Sequence, residues 1–408
     1  QIAIRLHLTG DLGILTASDF VFTVDLESGS AAIEAFPSEV RIEKPDVFKA
    51  VGKLYIDKVN GVEDIRGSLD VALTSMGWRA YAGLRVTHID DRHGGMTKAS
   101  VGSMMLEWPT MIPFFGTGVG AKSLEGLLAT HFERNLPAAS PAVPADLVWL
   151  EKANGNVRSS LEIKELWKPR LGASTVGLGV GLALITNPKL ANLNAMLAIE
   201  EPGPQVLVFA KLNLFKEPEP NDKEPQSLGK GVLGLLKIDP VNSQMVFAAL
   251  IDLEFSKFVH FRAPIEIAAS GKKLSAWHAF VGHFDNPITA TFKVENIAAL
   301  TAQGWLMAAG DQISRAPIAP NVRKNLPGLA LSLGFRVHAQ IGPNFLCVRG
   351  SLATYINASF SRAIFTSGTF EISGELRLFI VSIGASGAFN TQYLLSTDPS
   401  YAALFASG

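Results

Sequence analysis

In the stretch Phe370-Glu371-Ile372-Ser373-Gly374-Glu375-Leu376-Arg377-Leu378-Phe379-Ile380, Phe370, Ile372, Gly374, Leu376, Leu378 and Ile380 alternate with Glu371, Ser373, Glu375, Arg377 and Phe379. Successive side chains of a strand point to opposite faces, so this segment has one largely apolar face and one more polar face. The same period recurs far from it. Ile2, Ile4, Leu6 and Leu8 alternate with Ala3, Arg5 and His7, and Phe20, Phe22, Val24 and Leu26 alternate with Val21, Thr23 and Asp25. Turn signals such as Ser28-Gly29, Asn60-Gly61 and Ser367-Gly368 fall between such runs. The pattern predicts an all-β protein: an extended, curved antiparallel sheet system with one or two short covering helices.

One segment departs from period two. In Lys122 to Asn135, Leu124, Leu127, Leu128 and Phe132 follow i, i+3, i+4, i+8, while Glu133 and Arg134 lie off that stripe. This spacing predicts a short amphipathic helix, with Ser123 placed to cap it. Ile297 to Ala309 reads equally as helix or strand. Leu136 to Asp146, Phe215 to Leu228 and Ile313 to Gly328 are proline-rich and read as linkers or long loops. They divide the chain into β-rich regions 1–136, 146–215 and 229–408, expected to be parts of one continuous sheet system.

Composition excludes several classes. The 36 Lys+Arg against 37 Asp+Glu give a net charge of -1, too balanced for a general nucleic-acid binder. Hydrophobic residues are 48% of 408, too many for disorder. Two charge-free runs, Leu171 to Pro188 and Leu378 to Thr397, approach the length of a membrane span. The first is interrupted by glycines and Asn187-Pro188, the second by Gly384, Gly387, Asn390 and Gln392. Buried strand pairs are expected in both, and no transmembrane span. The chain opens on Gln1 in strand-like sequence, which suggests a segment of a longer polypeptide and makes the lack of a targeting signal uninformative.

No cluster stands out as catalytic, cofactor-binding or metal-ligating. The lone Cys347 sits in the apolar run Phe345-Leu346-Cys347-Val348, where a thiol is poorly ionised and inert. Gly116-Thr117-Gly118-Val119-Gly120 resembles a phosphate-binding turn, but Ala121 stands where the third glycine would be. A bend that docks the following helix is the better reading. His88, Asp90, Asp91 and His93 offer four N/O ligands within six residues, yet Gly94-Gly95 marks the segment as a polar hairpin tip. His278 and His283 fall on opposite faces of a regular strand unless Gly282 makes a bulge. Glu371 and Glu375 share a face with Arg377, as a solvated strand face would arrange them.

The 24 phenylalanines outnumber 5 tyrosines and 6 tryptophans, a bias toward dry interiors. Phe114, Phe115, Trp277 and Trp305 are the candidates to line either a packed core or an apolar groove.

Two blocks carry a resemblance: Pro113-Phe114-Phe115-Gly116-Thr117-Gly118-Val119-Gly120 with Glu133-Arg134-Asn135, and Trp277 to Asp285 with Gly304-Trp305-Leu306-Met307 and Gly328 to Gly334. Over residues 100 to 390 the chain resembles a family of long, mainly bacterial, β-rich proteins catalogued as a domain of unknown function. The resemblance implies a fragment of a longer protein and supplies no catalytic residues. The expected function is a non-enzymatic structural scaffold within a larger polypeptide or assembly. The alternatives are a carrier holding lipid or another apolar ligand in a sheet groove, and an enzyme assembled from distant loops.

Overall fold

Backbone that alternates apolar and polar side chains satisfies its hydrogen bonds only by pairing with neighbours, and short turns make the sequence neighbour the nearest partner. A computed structural model of the chain follows that logic. It describes the backbone of residues 3–11, 15–25, 30–35, 39–59, 62–114, 116–153, 164–186, 191–214, 230–256, 258–295, 297–313, 326–342, 346–360, 367–378, 381–385, 390–394 and 403–407, and most side chains between 39 and 360. The fold is all-β, with a single short α-helix among the described residues. The chain divides into two units, Gln1–Pro137 with Trp149–Gln226, and Ala138–Val148 with Ser227–Gly408.

The first unit holds β1 (Ala3–Asp11), β2 (Leu15–Asp25), β3 (Ser30–Ala35), β4 (Glu39–Lys44), β5 (Phe48–Val59) and β6 (Val62–Leu73). It continues with β7 (Trp78–Asp90), β8 (Met96–Pro113), β9 (Val119–Arg134), β10 (Trp167–Leu184), β11 (Ala191–Glu201) and β12 (Gln205–Leu214). From β4 to β12 each strand pairs antiparallel with the next. β2 pairs with β1, β3 and β4.

The second unit holds β13 (Lys230–Asp239), β14 (Gln244–Ser256), β15 (Val259–Ser270), β16 (Trp277–Val281), β17 (Ile288–Val294) and β18 (Ala298–Ala309). After β19 (Gln312–Ile313) and β20 (Leu326–Pro327) come β21 (Ala330–Ile341), β22 (Leu346–Ser359), β23 (Ser367–Leu378), β24 (Val381–Ala385), β25 (Asn390–Leu394) and β26 (Ala403–Ser407). β16 and β17 are successive pieces of one row between β15 and β18, broken at Gly282 (φ 73°). β18, β21, β22, β23 and β24 then pair in turn.

The helix expected over 122–135 is instead strand β9, paired with β8 and β10 along its length. Leu124 and Leu128 are an even number of residues apart and face outward together, whereas Leu127 is buried on the opposite face. His131, at φ 56°, shifts the alternation so that Phe132 joins the buried side. Strand faces and one bulge thus mimic a helical stripe. Gly116 and Gly118, both at positive φ, accordingly sit in the β8–β9 hairpin turn, Val119 and Gly120 open β9, and the run docks no helix. Residues 298–309 are strand β18.

The α-helix lies at Ala145–Lys152, α1, where no periodicity marked it. Asp146 in its first turn pairs with Lys237 at 3.2 Å, and Lys152 in its last turn suits the helix dipole. The proline-rich segment before it is not an empty linker, because Ala142 and Val143 are buried. Most of the run Leu171 to Pro188 forms one strand, β10, rather than a pair, and only alternate residues from Ala173 to Ala183 are buried. The loop Phe215 to Leu228, most of Ile313 to Gly328, and the side chains of Cys347, Glu371, Glu375 and Arg377 lie outside the described residues.

Candidate functional site

Residues directly opposite in an antiparallel ladder share a face, so the register assigns each side chain to one side of the sheet. In the first unit Gly52, Leu69, Ala82, Met104, Gly126, Leu178, Leu197 and Val208 stand opposite one another in turn, across β5 to β12. The next row reads Leu54, Gly67, Leu84, Gly102, Leu128, Val176, Ile199 and Val206. On the other side Val71, Ala80, Leu106, Leu124, Val180 and Ala195 continue the surface. No charged or hydrogen-bonding side chain interrupts these rows. Yet this is the open side of the sheet: Leu178 is 68% exposed, Met104 66% and Leu128 57%.

The polar side is the closed one. Arg85, itself buried, is held by Asp64 through Nε at 2.8 Å and Nη2 at 3.2 Å, donates to the Trp167 carbonyl at 2.6 Å, and lies over the Phe132 ring. Arg134 is gripped by Glu200 at 2.5 and 2.9 Å between the Trp149 and Phe209 rings. Trp149 meets Trp167 edge-on at 5.6 Å. Pairing and hydrogen bonding make such buried charges tolerable. A half-solvated antiparallel sheet ordinarily turns its polar face to water. Here the arrangement is inverted.

The second unit repeats the inversion. Ile265, Val281, Leu306, Leu333 and Ile356 stand in one row across β15, β16, β18, β21 and β22, and Leu306, Leu333 and Ile356 are exposed. Its opposite face carries Asp252 with His260 (2.6 Å) and Arg262 (2.9 Å), and Glu266 with His278 (2.8 Å). That face also packs Trp305, Met307, Ala309, Ile313 and Ala330 against Phe280, Phe284 and Tyr355.

Within the second unit Trp277 and Trp305 lie on opposite faces. Trp305 is 2% exposed at the centre of that cluster, while Trp277, opposite Ala269, shares the other face with Ile267 and Ile265. Phe114 is half-exposed at the tip of the β8–β9 hairpin in the first unit, and Phe115 lies outside the described residues. His88 to Gly95 is a hairpin tip, with Asp91 Oδ1 accepting the His93 and Gly95 amide hydrogens. His278 stacks on Phe280 at 4.5 Å and His283 meets the same ring edge-on at 5.7 Å, so both imidazoles pack on one phenyl ring. Among the described residues, no group of three or more His, Cys, Asp or Glu is placed to hold a metal ion. No helix among them is long and apolar enough to cross a membrane.

The aliphatic rows were missed because they are spread one or two residues per strand and no short motif contains them. The available signal was parity: every charged residue within these strand centres falls on the same phase of the alternation. Fold and face define a class for each unit, an antiparallel β-meander whose solvent-open side is aliphatic through the strand centres. No family model matches the chain, and no curated protein matches it in sequence.

Proposed function

We propose that this chain is a non-enzymatic carrier module whose charge-free sheet face holds lipid or another ligand rich in aliphatic chain. The observation that supports it is the in-register wall of exposed Leu, Met, Val and Ile across β6 to β11. Contiguous apolar surface of that breadth exceeds what isolated exposed side chains explain, and it marks a binding face. Flexible aliphatic chains suit it better than a polar metabolite, which needs convergent donors and acceptors that these rows lack. The resemblance to long β-rich proteins fits this reading, since it brings no catalytic set.

Native mass spectrometry after detergent-free purification tests the proposal. Lipid retained by the wild type and lost from Leu128→Asp/Leu178→Asp supports the carrier. A stable oligomer free of lipid would instead favour a scaffold whose apolar faces cover one another.

A further inference from the structure

We propose, resting on the carrier reading, that the apolar face of the first unit enters the hydrocarbon of a phospholipid bilayer, with the His88–Asp90 end of β7 left at the water. Three observations carry it. The face is charge-free through the strand centres and ends abruptly. On β7 the outward positions run Trp78, Ala80, Ala82, Leu84 and Val86, then change to His88 and Asp90, and Lys98 of β8 stands opposite His88. On β7 the apolar run from Trp78 to Val86 spans roughly 26 Å at ~3.3 Å per residue, close to the ~25 Å apolar band of membrane-embedded sheets, while on β8 to β11 the row level with Val86 is already polar, with Ser100, Thr130, Ser174 and Glu201.

The second observation is what the rows lack. Protein interfaces carry a polar rim and about one hydrogen bond per 100–200 Å², and these rows offer no side chain to make one. A second copy would have nothing to fix its orientation, whereas fluid acyl chains require none. The third is the inverted packing: Arg85 with Asp64 and Arg134 with Glu200 are buried on the other side, so embedding the open face desolvates neither pair. Taking apolar area out of water gains about 25 cal/mol per Å² on that face.

The test uses the full chain with Cys347→Ser and an environment-sensitive dye on Leu84→Cys or Asp90→Cys, both exposed on β7. The probe is phosphatidylcholine–phosphatidylglycerol vesicles with brominated acyl chains. Flotation with the vesicles, and quenching several-fold stronger at 84 than at 90, is the expected result. Leu128→Asp/Leu178→Asp without label should reduce flotation at least tenfold. Flotation unchanged in that variant, or equal quenching at the two positions, overturns the inference. So does a protein that stays out of vesicles; if that protein still retains lipid by native mass spectrometry the carrier reading survives, and if it retains none both fall.

Discussion

Trp305 donates its indole N–H to Ser332 Oγ at 3.2 Å, takes Phe284 edge-on at 5.4 Å, and has Arg336 over its ring at 5.3 Å. Space for it comes from the partner strand. Gly334 stands directly opposite, and a Cβ there would clash with Trp305 Cζ2. Trp305→Ala should therefore cost ~3–5 kcal/mol by urea denaturation, and Gly334→Ala should destabilise by moving the ring. An electrostatic prediction belongs to Asp239. It accepts the Asn242 backbone N–H at 2.9 Å and the Asn242 side-chain N–H at 2.8 Å in the β13–β14 turn, and these bonds hold its carboxyl below the usual range. A folded value below the unfolded one means stability that is present above the unfolded carboxylate range and lost as pH falls through the folded value. Asp239→Ala should cost ~1 kcal/mol at pH 7. It should also reduce the fall in urea midpoint on acidification toward pH 3; a slope equal to wild type would contradict the assignment.

Strand β10 states the inversion within one element. Its inward positions include Gly177, Gly179 and Gly181, while Val176, Leu178 and Val180 face outward. A Cβ on Gly179 would come within 3.1 Å of the Ala195 carbonyl and of Glu125 Cβ, and 3.2 Å of Met196 Cε. Gly179→Ala should consequently lower stability by ~1–3 kcal/mol, whereas Leu178→Ala, a larger deletion, should stay within ~0.5 kcal/mol. Thermal melts of the two variants check this, and the reverse order would invalidate the face assignment. The strand character of β1, β2 and β23 was legible from alternation alone, because a period-two sequence satisfies itself only in a sheet. β9 was not. Leu124, Leu127, Leu128 and Phe132 read as a helical stripe because the bulge at His131 is fixed by tertiary pairing: Gly172 N donates to His131 Nδ1 at 2.9 Å from the neighbouring strand. Helix α1 was hidden for the opposite reason, being eight residues with no amphipathic period of their own.

At the scale of the molecule, the low charge content and the two uncharged runs were visible in the sequence, but which side of the sheet the uncharged residues occupy was not. Alternation gives two faces and does not say which one closes. The buried Arg85–Asp64 and Arg134–Glu200 pairs, with Val101, Ala129 and Phe132 buried on the same side, mark the polar face as the interior of the first unit. The last prediction follows from that assignment. If the aliphatic rows were core, placing three carboxylates among them would unfold the unit, since each buried unpaired charge is costly. If they face solvent or acyl chains, Met104→Asp/Leu128→Asp/Leu178→Asp should leave a strand-dominated far-UV circular dichroism spectrum and shift the urea midpoint little, as surface changes do. The same variant should be more soluble than wild type, because it breaks a contiguous apolar patch and adds negative charge. It should also lose binding of an apolar dye that the wild type retains. Loss of the spectrum together with the dye site would place these residues in a closed core. A preserved spectrum with a lost dye site places them on the working surface.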